Sequence, residues 1–381
     1  MIRTVSLLAL VVVAVACADN EPPPEMELRI ALVGQSLSRY DPRDYIESPA
    51  ATVVPILSAA DVAFTNLEVS VDGEGCPCVP TKEGNSLQVA RPPVVEFLSE
   101  MNFGLLSLAN NHSWNLSEGG VRSSIQAADA NGLTHAGTGT SSAEAVAAGV
   151  RSVRGQQIGL IANATVKLGA DAAAGPSKPG VNLLRVGNVK DWERNLVSVR
   201  AASDSLDVLI VYQHFQVTPE DVAPGNEFGH GLHSDLDAWQ QEWARAAIDN
   251  GASLYVAHGS REFRGVEIYR GRPIFYGLGN FIFHSGQPVG HYERDVWESV
   301  VATVTFDGVE PSRVEFTPLV LDEGTPGDNF LESRGVPEVA EGPLASSILE
   351  RLVRLSAVHG TVINVTGERA VLDLKGGLRI R

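Results

Sequence analysis

Cysteine is scarce in this chain: Cys17, Cys76 and Cys78 are the three among 381 residues. A thiolate metal site would need further thiols that the chain lacks. Positive charge is also short, with Lys+Arg 29 against Asp+Glu 46 and a formal net charge of -17. The whole-molecule field therefore repels anionic polymers at long range; nucleic acid is excluded as a partner, and an anionic ligand needs a local cationic or metal site. Internal repeats are absent, and the low-complexity content is limited to an acidic, Pro-rich stretch, "ADNEPPPEMEL". The unbroken apolar run from Leu7 to Ala16 is too short to span a bilayer, which takes about 20 residues. What remains is 44% hydrophobic, enough to build a sizeable core in one large domain or one and a half.

The first residues, "MIRTVSLLALVVVAVACADN", have a basic start at Arg3, the apolar run, and then Cys17 in a polar setting. Its end, "AVAC", resembles a bacterial lipobox, whose Cys is lipidated and becomes the new N-terminus. Residues 1–16 are expected to be a lipoprotein signal peptide, Cys17 the lipidation site, and 17–27 a tether holding the domain off a membrane surface. The chain is then exported and membrane-anchored; an ordinary cleaved signal with a coincidental Cys is the alternative. Cys76 and Cys78, in "GEGCPCVP", read as a loop feature that export permits to oxidise, outside the active site.

From about Leu28 strand and helix patterns alternate. Apolar β-rich runs such as "LRIALV", "DVAFTN", "GLLSLAN", "QIGLIANATV", "LDVLIVYQH", "ASLYVAHG" and "PIFYGLGNFIF" are separated by helical stretches such as "RPPVVEFLSEM" and "LDAWQQEWARAAIDNG". Near-continuous apolar strands indicate sheets covered on both faces. Several strands end in polar residues able to do chemistry: Gln35, Glu68, Asn110 with Asn111 and His112, His214 and His258. Active sites of open α/β sheets form at such ends. Past Asn280 the texture turns to antiparallel strands. Residues 28–322 are expected to form the main domain and 323–381 a helix and hairpin packed on it.

The stretch "VGQSLS" after the first strand admits two readings. Ser36 suits a nucleophile, and "GQSLS" resembles the first block of GDSL-type serine esterases with Gln in place of Asp. Gln35, alternatively, stands where a metal-dependent hydrolase holds an Asp. The chain has no "GxSxG", no "GxND" block and no terminal Asp-x-x-His to complete a serine site.

A second set of residues carries more. "ANNH" after a buried strand, with "FTNLE" upstream, "IVYQHF" midway and "VAHGSREFRGVEIYRGRPIFYGLGNFIF" downstream, resembles the capsule-synthesis CapA family in order and over most of the chain. That family is associated with poly-gamma-glutamate capsule production and is similar in fold to calcineurin-like metallophosphoesterases. The resemblance implies an α/β sandwich of two mixed sheets flanked by helices. A hydrolase using metal-activated water needs mixed oxygen and imidazole donors from several strand ends. The resemblance makes Glu68 the bridging carboxylate and Asn111, His214 and His258 the other ligands of one ion. It gives His112, with Asn110 beside it, the catalytic place, a general-acid role suited to imidazole.

Two positions depart from the family pattern. Gln35 stands for an Asp, and Arg261, in "AHGSRE", stands where "GHxxH" ends in His. The resemblance implies a first ion that Glu68 bridges to the one just described; Gln offers only a neutral carbonyl oxygen and guanidinium has no lone pair, so that first ion's shell is depleted. The expectation is one divalent ion of Mn, Fe, Zn or Mg, with a metal-free, catalytically silent binding protein as the alternative. Arg261, with Gln35, is expected to bind substrate, and Arg261 is also expected to be catalytic, its fork holding Glu68 or an anionic substrate group in place of part of a metal's charge. The implied partners are a membrane, through the lipid anchor, and a capsule polymer or its synthesis complex. His135, His284, His291 and His359 read as structural or loop residues, and His230 and His233 as residues of the rim.

Overall fold

The computed structural model describes residues 27–217, 236–325 and 334–375. Its strands in chain order are β1 (Leu28–Leu37), β2 (Val62–Leu67), β3 (Ser70–Val71), β4 (Val89–Ala90), β5 (Phe103–Ser107), β6 (Thr134–Ala136) and β7 (Thr138–Gly139). Next come β8 (Gly149–Val153), β9 (Gln156–Val166), β10 (Gly180–Val181), β11 (Val208–Gln216), β12 (Leu254–His258), β13 (Val266–Tyr269) and β14 (Arg272–Phe275). The last are β15 (Asn280–Phe283), β16 (Glu298–Asp307), β17 (Glu310–Leu321), β18 (Pro337–Val339), β19 (Asn364–Thr366) and β20 (Arg369–Asp373). The helices are α1 (Val54–Ser58), α2 (Pro93–Glu100), α3 (Ser117–Ala130), α4 (Ser142–Val146), α5 (Val189–Ser203), α6 (Leu236–Asp249) and α7 (Gly342–Ala357).

Two mixed sheets result. The larger runs β19-β20-β17-β16-β1-β2-β5-β6, with β15 added beside β1 and β18 beside β17. Its β15-β1-β2-β5-β6 part is parallel and its β1-β16-β17-β20 part antiparallel. The smaller runs β13-β14-β12-β11-β9-β8, parallel through β14-β12-β11-β9 and antiparallel at both edges.

The two-residue period of a strand decides the layers. In β1, Ile30 and Leu32 enter a core shared with Leu160, Ile210, Tyr212 and Val256 of the other sheet, while Ala31 and Val33 pack with Leu57, Val95 and Leu98 on the opposite face. The outer face of the smaller sheet, including Ile161, Leu209 and Val211, is covered by Val199 of α5 and Trp243 of α6. The expected sandwich of two mixed sheets flanked by helices is what forms. Among the described residues no helix is long and apolar enough to cross a membrane.

The run "PIFYGLGNFIF" is not one strand. It divides into β14 in the smaller sheet and β15 in the larger, so the chain crosses between sheets over Tyr276–Gly279. Gly279 has φ +75°, a conformation that glycine adopts without steric cost. The region beyond residue 322 is continuous with the larger sheet: β18 and β20 both pair with β17, and Ile348, Leu349 and Leu352 of α7 join the inter-sheet core.

Candidate functional site

The crossing brings the carboxyl ends of β1 and β12 together. β1 lies so close to it that a Cβ on Gly34 would sit 2.5 Å from the Gly279 carbonyl oxygen. Only a hydrogen fits there. The β1 register against β15 shifts between Gln35 and Ser36, an irregularity of the kind that re-aims side chains at sites. Gln35 is buried; its Nε2 donates to Asn280 Oδ1 at 3.0 Å, and its Oε1 accepts the Gly259 N–H at 2.9 Å. Asn280 Nδ2 in turn donates to the Arg261 and Val296 carbonyls at 3.1 and 3.0 Å. Gln35 thus borders the cleft, but both ends of its amide are engaged within the protein.

Ser36 is fully buried, and its hydroxyl lies 2.9 Å from Thr65 Oγ1, which donates to the Gly34 carbonyl. Its side-chain partner is a threonine, not a histidine, so the nucleophile arrangement of a serine esterase is not formed.

A cavity of about 300 Å³ opens at these strand ends, lined by Gln35, Glu68, Lys82, Asn111, His112 and Arg261, with Gln216, Phe283 and Tyr292 among its walls. Glu68 is 3% exposed and its Oε2 meets no hydrogen-bond partner. Burial pushes its carboxyl up to about 8, against the opposing pull of Arg261 and Lys82. His214 Nε2 lies 3.8 Å from Glu68 Oε1 and also lacks a hydrogen bond, while its Nδ1 is 3.3 Å from the Tyr212 hydroxyl. Desolvation holds His214 well below the usual imidazole range, so this contact joins a carboxyl to a neutral ring and is not an ion pair.

His258 is the register partner of His214 across β11 and β12. Burial lowers its imidazole to about 3 against a backbone contact with Val33 that pulls the other way, and no side chain bonds to either ring nitrogen. The Oδ1 of Asn111 is likewise buried without a partner. His112 is held between the amides of Asn111 and Asn115, each 3.1 Å from a ring nitrogen. Desolvation, with Lys82 and Arg261 nearby, lowers it to about 3.

Of the residues expected together from sequence, Glu68, Asn111, His112, Gln35 and Arg261 line one cavity. His214 and His258 sit buried behind it. Asn110 is placed otherwise than the catalytic expectation: it is fully buried, its Nδ2 donates to Asn66 Oδ1 and the Leu67 carbonyl, and its Oδ1 accepts the His112 N–H at 2.9 Å. It positions the His112 loop. Arg261 makes no direct pair with Glu68; its guanidinium lies over the Tyr292 ring, 5.3 Å from the centroid.

The donor set suits a divalent ion in chemistry, being one carboxyl, one amide oxygen and two neutral imidazoles. Glu68, His214 and His258 do not close into a group whose donor atoms all lie within 4.8 Å of one another. Among the described residues the group that does is Asp72, Cys76 and Cys78, and there the two sulfurs are joined in a disulfide. The disulfide itself lies outside the cavity lining, as expected from sequence.

Two contributors escaped the sequence reading. Lys82, from the loop between β3 and β4, donates through Nζ to the Asn111 carbonyl at 3.1 Å; nothing local in "PTKEGN" distinguishes it from a solvated lysine. Asn280 sits inside a quoted motif, and its place at a strand start beside Gln35 was the available signal. His284 is structural, its Nδ1 accepting the Arg39 and Tyr40 N–H groups. His135 contacts Asp129, His359 stacks on Tyr276 and His291 packs edge-on to Tyr292. Cys17, the signal peptide and the tether up to residue 26, together with His230 and His233, lie outside the described residues.

Fold and cleft define a two-sheet α/β sandwich with a strand-end site of oxygen and imidazole donors. The chain matches the family described as "Bacterial capsule synthesis protein PGA_cap" over residues 29–285, and it belongs to that family. It is 30% identical to an uncharacterised protein of Sinorhizobium fredii over 84% of this chain and 88% of the relative. It is 27% identical to the PGA biosynthesis protein CapA of Bacillus subtilis over 77% of this chain and 70% of that protein. Among solved structures it is similar to a putative 5'-nucleotidase of Staphylococcus aureus, with 12% identity and a TM-score of 0.41 over 75% of this chain and 52% of that one.

Proposed function

We propose that this member of the capsule-synthesis family acts at the membrane in synthesis, anchoring or trimming of a surface polymer such as poly-gamma-glutamate, as a lipoprotein anchored through Cys17. Its cleft is a one-ion hydrolytic site in which Glu68, Asn111, His214 and His258 would hold a divalent cation, Mn, Fe, Zn or Mg. The observation that carries this reading is the set of buried donor atoms without partners: Glu68 Oε2, Asn111 Oδ1 and His214 Nε2, with the His258 ring beside them bonded to no side chain. Leaving such groups buried and unpaired costs about 1–3 kcal/mol each, a cost that a ligand to them removes. A bound ion would supply Lewis acidity. The protein's own residues do the rest: Asn110 and Asn115 orient His112, whose neutral ring faces the cleft beside Asn111, and Arg261 and Lys82 bias the cavity toward anions.

A catalytically silent binding protein on the same fold is the second reading. The engagement of Gln35 with Gly259 and Asn280 favours it, because the position that would hold the first ion is occupied by a structural amide. Metal analysis of the full chain, purified in detergent, decides between them. One equivalent retained, and lost in Glu68→Gln and His214→Ala, supports the one-ion site; no retained metal after loading leaves the silent reading, and two equivalents overturn both.

A further inference from the structure

Two cationic side chains line the cleft, and neither belongs to the donor set of Glu68, Asn111, His214 and His258. Lys82 and Arg261 reach the cavity from distant parts of the sequence, one from the β3–β4 loop and the other from the turn after β12. An ammonium carries three N–H donors; the Asn111 carbonyl takes one, and among the described residues the other two are uncommitted. The Arg261 guanidinium, seated over Tyr292, forms no ion pair among the described residues, which leaves its planar fork available. Glu68 is the single carboxyl among the lining residues; the other polar ones, such as Asn85, Ser86, Gln88 and Gln216, are neutral. Within a chain of net charge -17, this cavity sets two cations against one carboxyl.

The loop that carries Lys82 is clamped. Cys76 and Cys78 are bonded to each other. Thr81 donates from N to the Asn115 carbonyl at 2.9 Å and from Oγ1 to the Trp114 carbonyl at 2.8 Å. Ser117 Oγ donates to the Val79 carbonyl at 2.6 Å. A Cβ on Gly119 would stand 2.5 Å from the Pro77 carbonyl oxygen, so the loop rests directly on α3. These bonds hold the loop against the segment that presents Asn111 and His112. A surface lysine has no use for such fixation; a ligand-positioning one does, because pre-organisation lowers the ordering cost of binding.

We propose that Lys82 and Arg261 form an oxyanion-binding pair that holds a phosphate or carboxylate group of the ligand beside Glu68 and His112. The pair supplies positive charge on the side of the cleft where Gln35 and Arg261 stand in place of the Asp and His that the family resemblance implies. The proposal rests on the reading of this cleft as the working site and does not require the ion. Charge-assisted bonds from an ammonium and a guanidinium fork suit either oxyanion.

The test is titration calorimetry of the full chain with inorganic phosphate and, separately, glutarate, at low and moderate salt. Lys82→Gln and Arg261→Gln are each expected to weaken the tighter anion at least about tenfold, Lys82→Arg to recover part of the loss, and exposed Lys190→Gln to change nothing. Tighter phosphate identifies a phosphoryl group as the natural ligand chemistry and tighter glutarate a carboxylate; both support the pair. Absence of binding to the unaltered chain, or equal binding in both neutral variants, overturns it. Melting temperatures recorded on the same samples separate a folding defect from lost binding, and Lys82→Arg keeps the test open if Lys82→Gln does not fold. Metal equivalents counted alongside distinguish the two ideas: metal retained without anion binding overturns the pair alone, and anion binding without metal overturns the one-ion reading alone.

Discussion

Gln35 Oε1 accepts the Gly259 N–H at 2.9 Å, joining the end of β1 in the larger sheet to the turn after β12 in the smaller one. The same amide reaches Asn280 at the start of β15, so one neutral side chain ties three strand ends together. Where a carboxylate would serve a cation, an amide that both donates and accepts serves the fold.

Gln35→Asp is therefore expected to be destabilising on its own, by about 1–3 kcal/mol, because it removes the donor to Asn280 and shortens the reach to Gly259. Denaturant unfolding would show it. Combined with Arg261→His it is expected to raise the metal stoichiometry from one to two equivalents; an unchanged count in a folded double variant would refute the depleted-shell reading. Ser36→Ala is expected to leave any hydrolytic rate within a small factor, and complete loss would return the serine to consideration.

Glu68 makes the metal-free protein sensitive to alkali. Its carboxyl is raised from 4.5 to about 8 by burial, so the folded state binds the proton more tightly than the unfolded state does. Stability is highest below the unfolded value and falls as pH rises toward 8, by roughly 1.4 kcal/mol per pH unit for one proton. Glu68→Gln should flatten that slope in chelator-treated protein. Added divalent metal should restore stability to the unaltered chain but not to the variant.

On the acid side His284 acts in the opposite sense. Burial, with Arg39 and Arg334 nearby, lowers it to about 3. The unfolded state is then the better proton binder below 6.5, and stability is lost as pH falls from 6.5 toward 3. His284→Asn should reduce the acid slope by about one proton, or roughly 1.4 kcal/mol per pH unit. An unchanged slope would show that burial does not hold His284 neutral in the folded state.

Cys17→Ser is expected to release the protein from membranes in a fractionation experiment. Persistence in the membrane fraction at high salt would end the lipoprotein reading.

The strands of both sheets were legible because apolar runs such as "LDVLIVYQH" and "ASLYVAHG" are bounded by Gly and polar residues, and burial on both faces produces that pattern. Glu68, Asn111, His214 and His258 were legible because each follows such a run. The division of "PIFYGLGNFIF" was not. Glycines mark turns and irregular strands alike, and nothing local tells whether the chain continues in one sheet or leaves for another. Lys82 was illegible for a different reason: its role comes from its loop being fastened to Trp114 and Asn115, and that fastening depends on tertiary packing. The orienting role of Asn110 was hidden because side-chain amides hold loops and bind ions with the same atoms.

The crossing between β14 and β15 also sets when the cleft can be complete. Gln35 meets Asn280 across 245 positions of chain and Gly259 across 224, so the pocket is assembled from the first strand and one that comes far later. During synthesis the polypeptide has no completed cleft until Asn280 has emerged. Strand pairings separated this widely form slowly. Truncations ending before residue 280 would leave Gln35 without one of its partners and β1 without β15, so the last strand to arrive beside β1 is the one that completes the lining of the cleft.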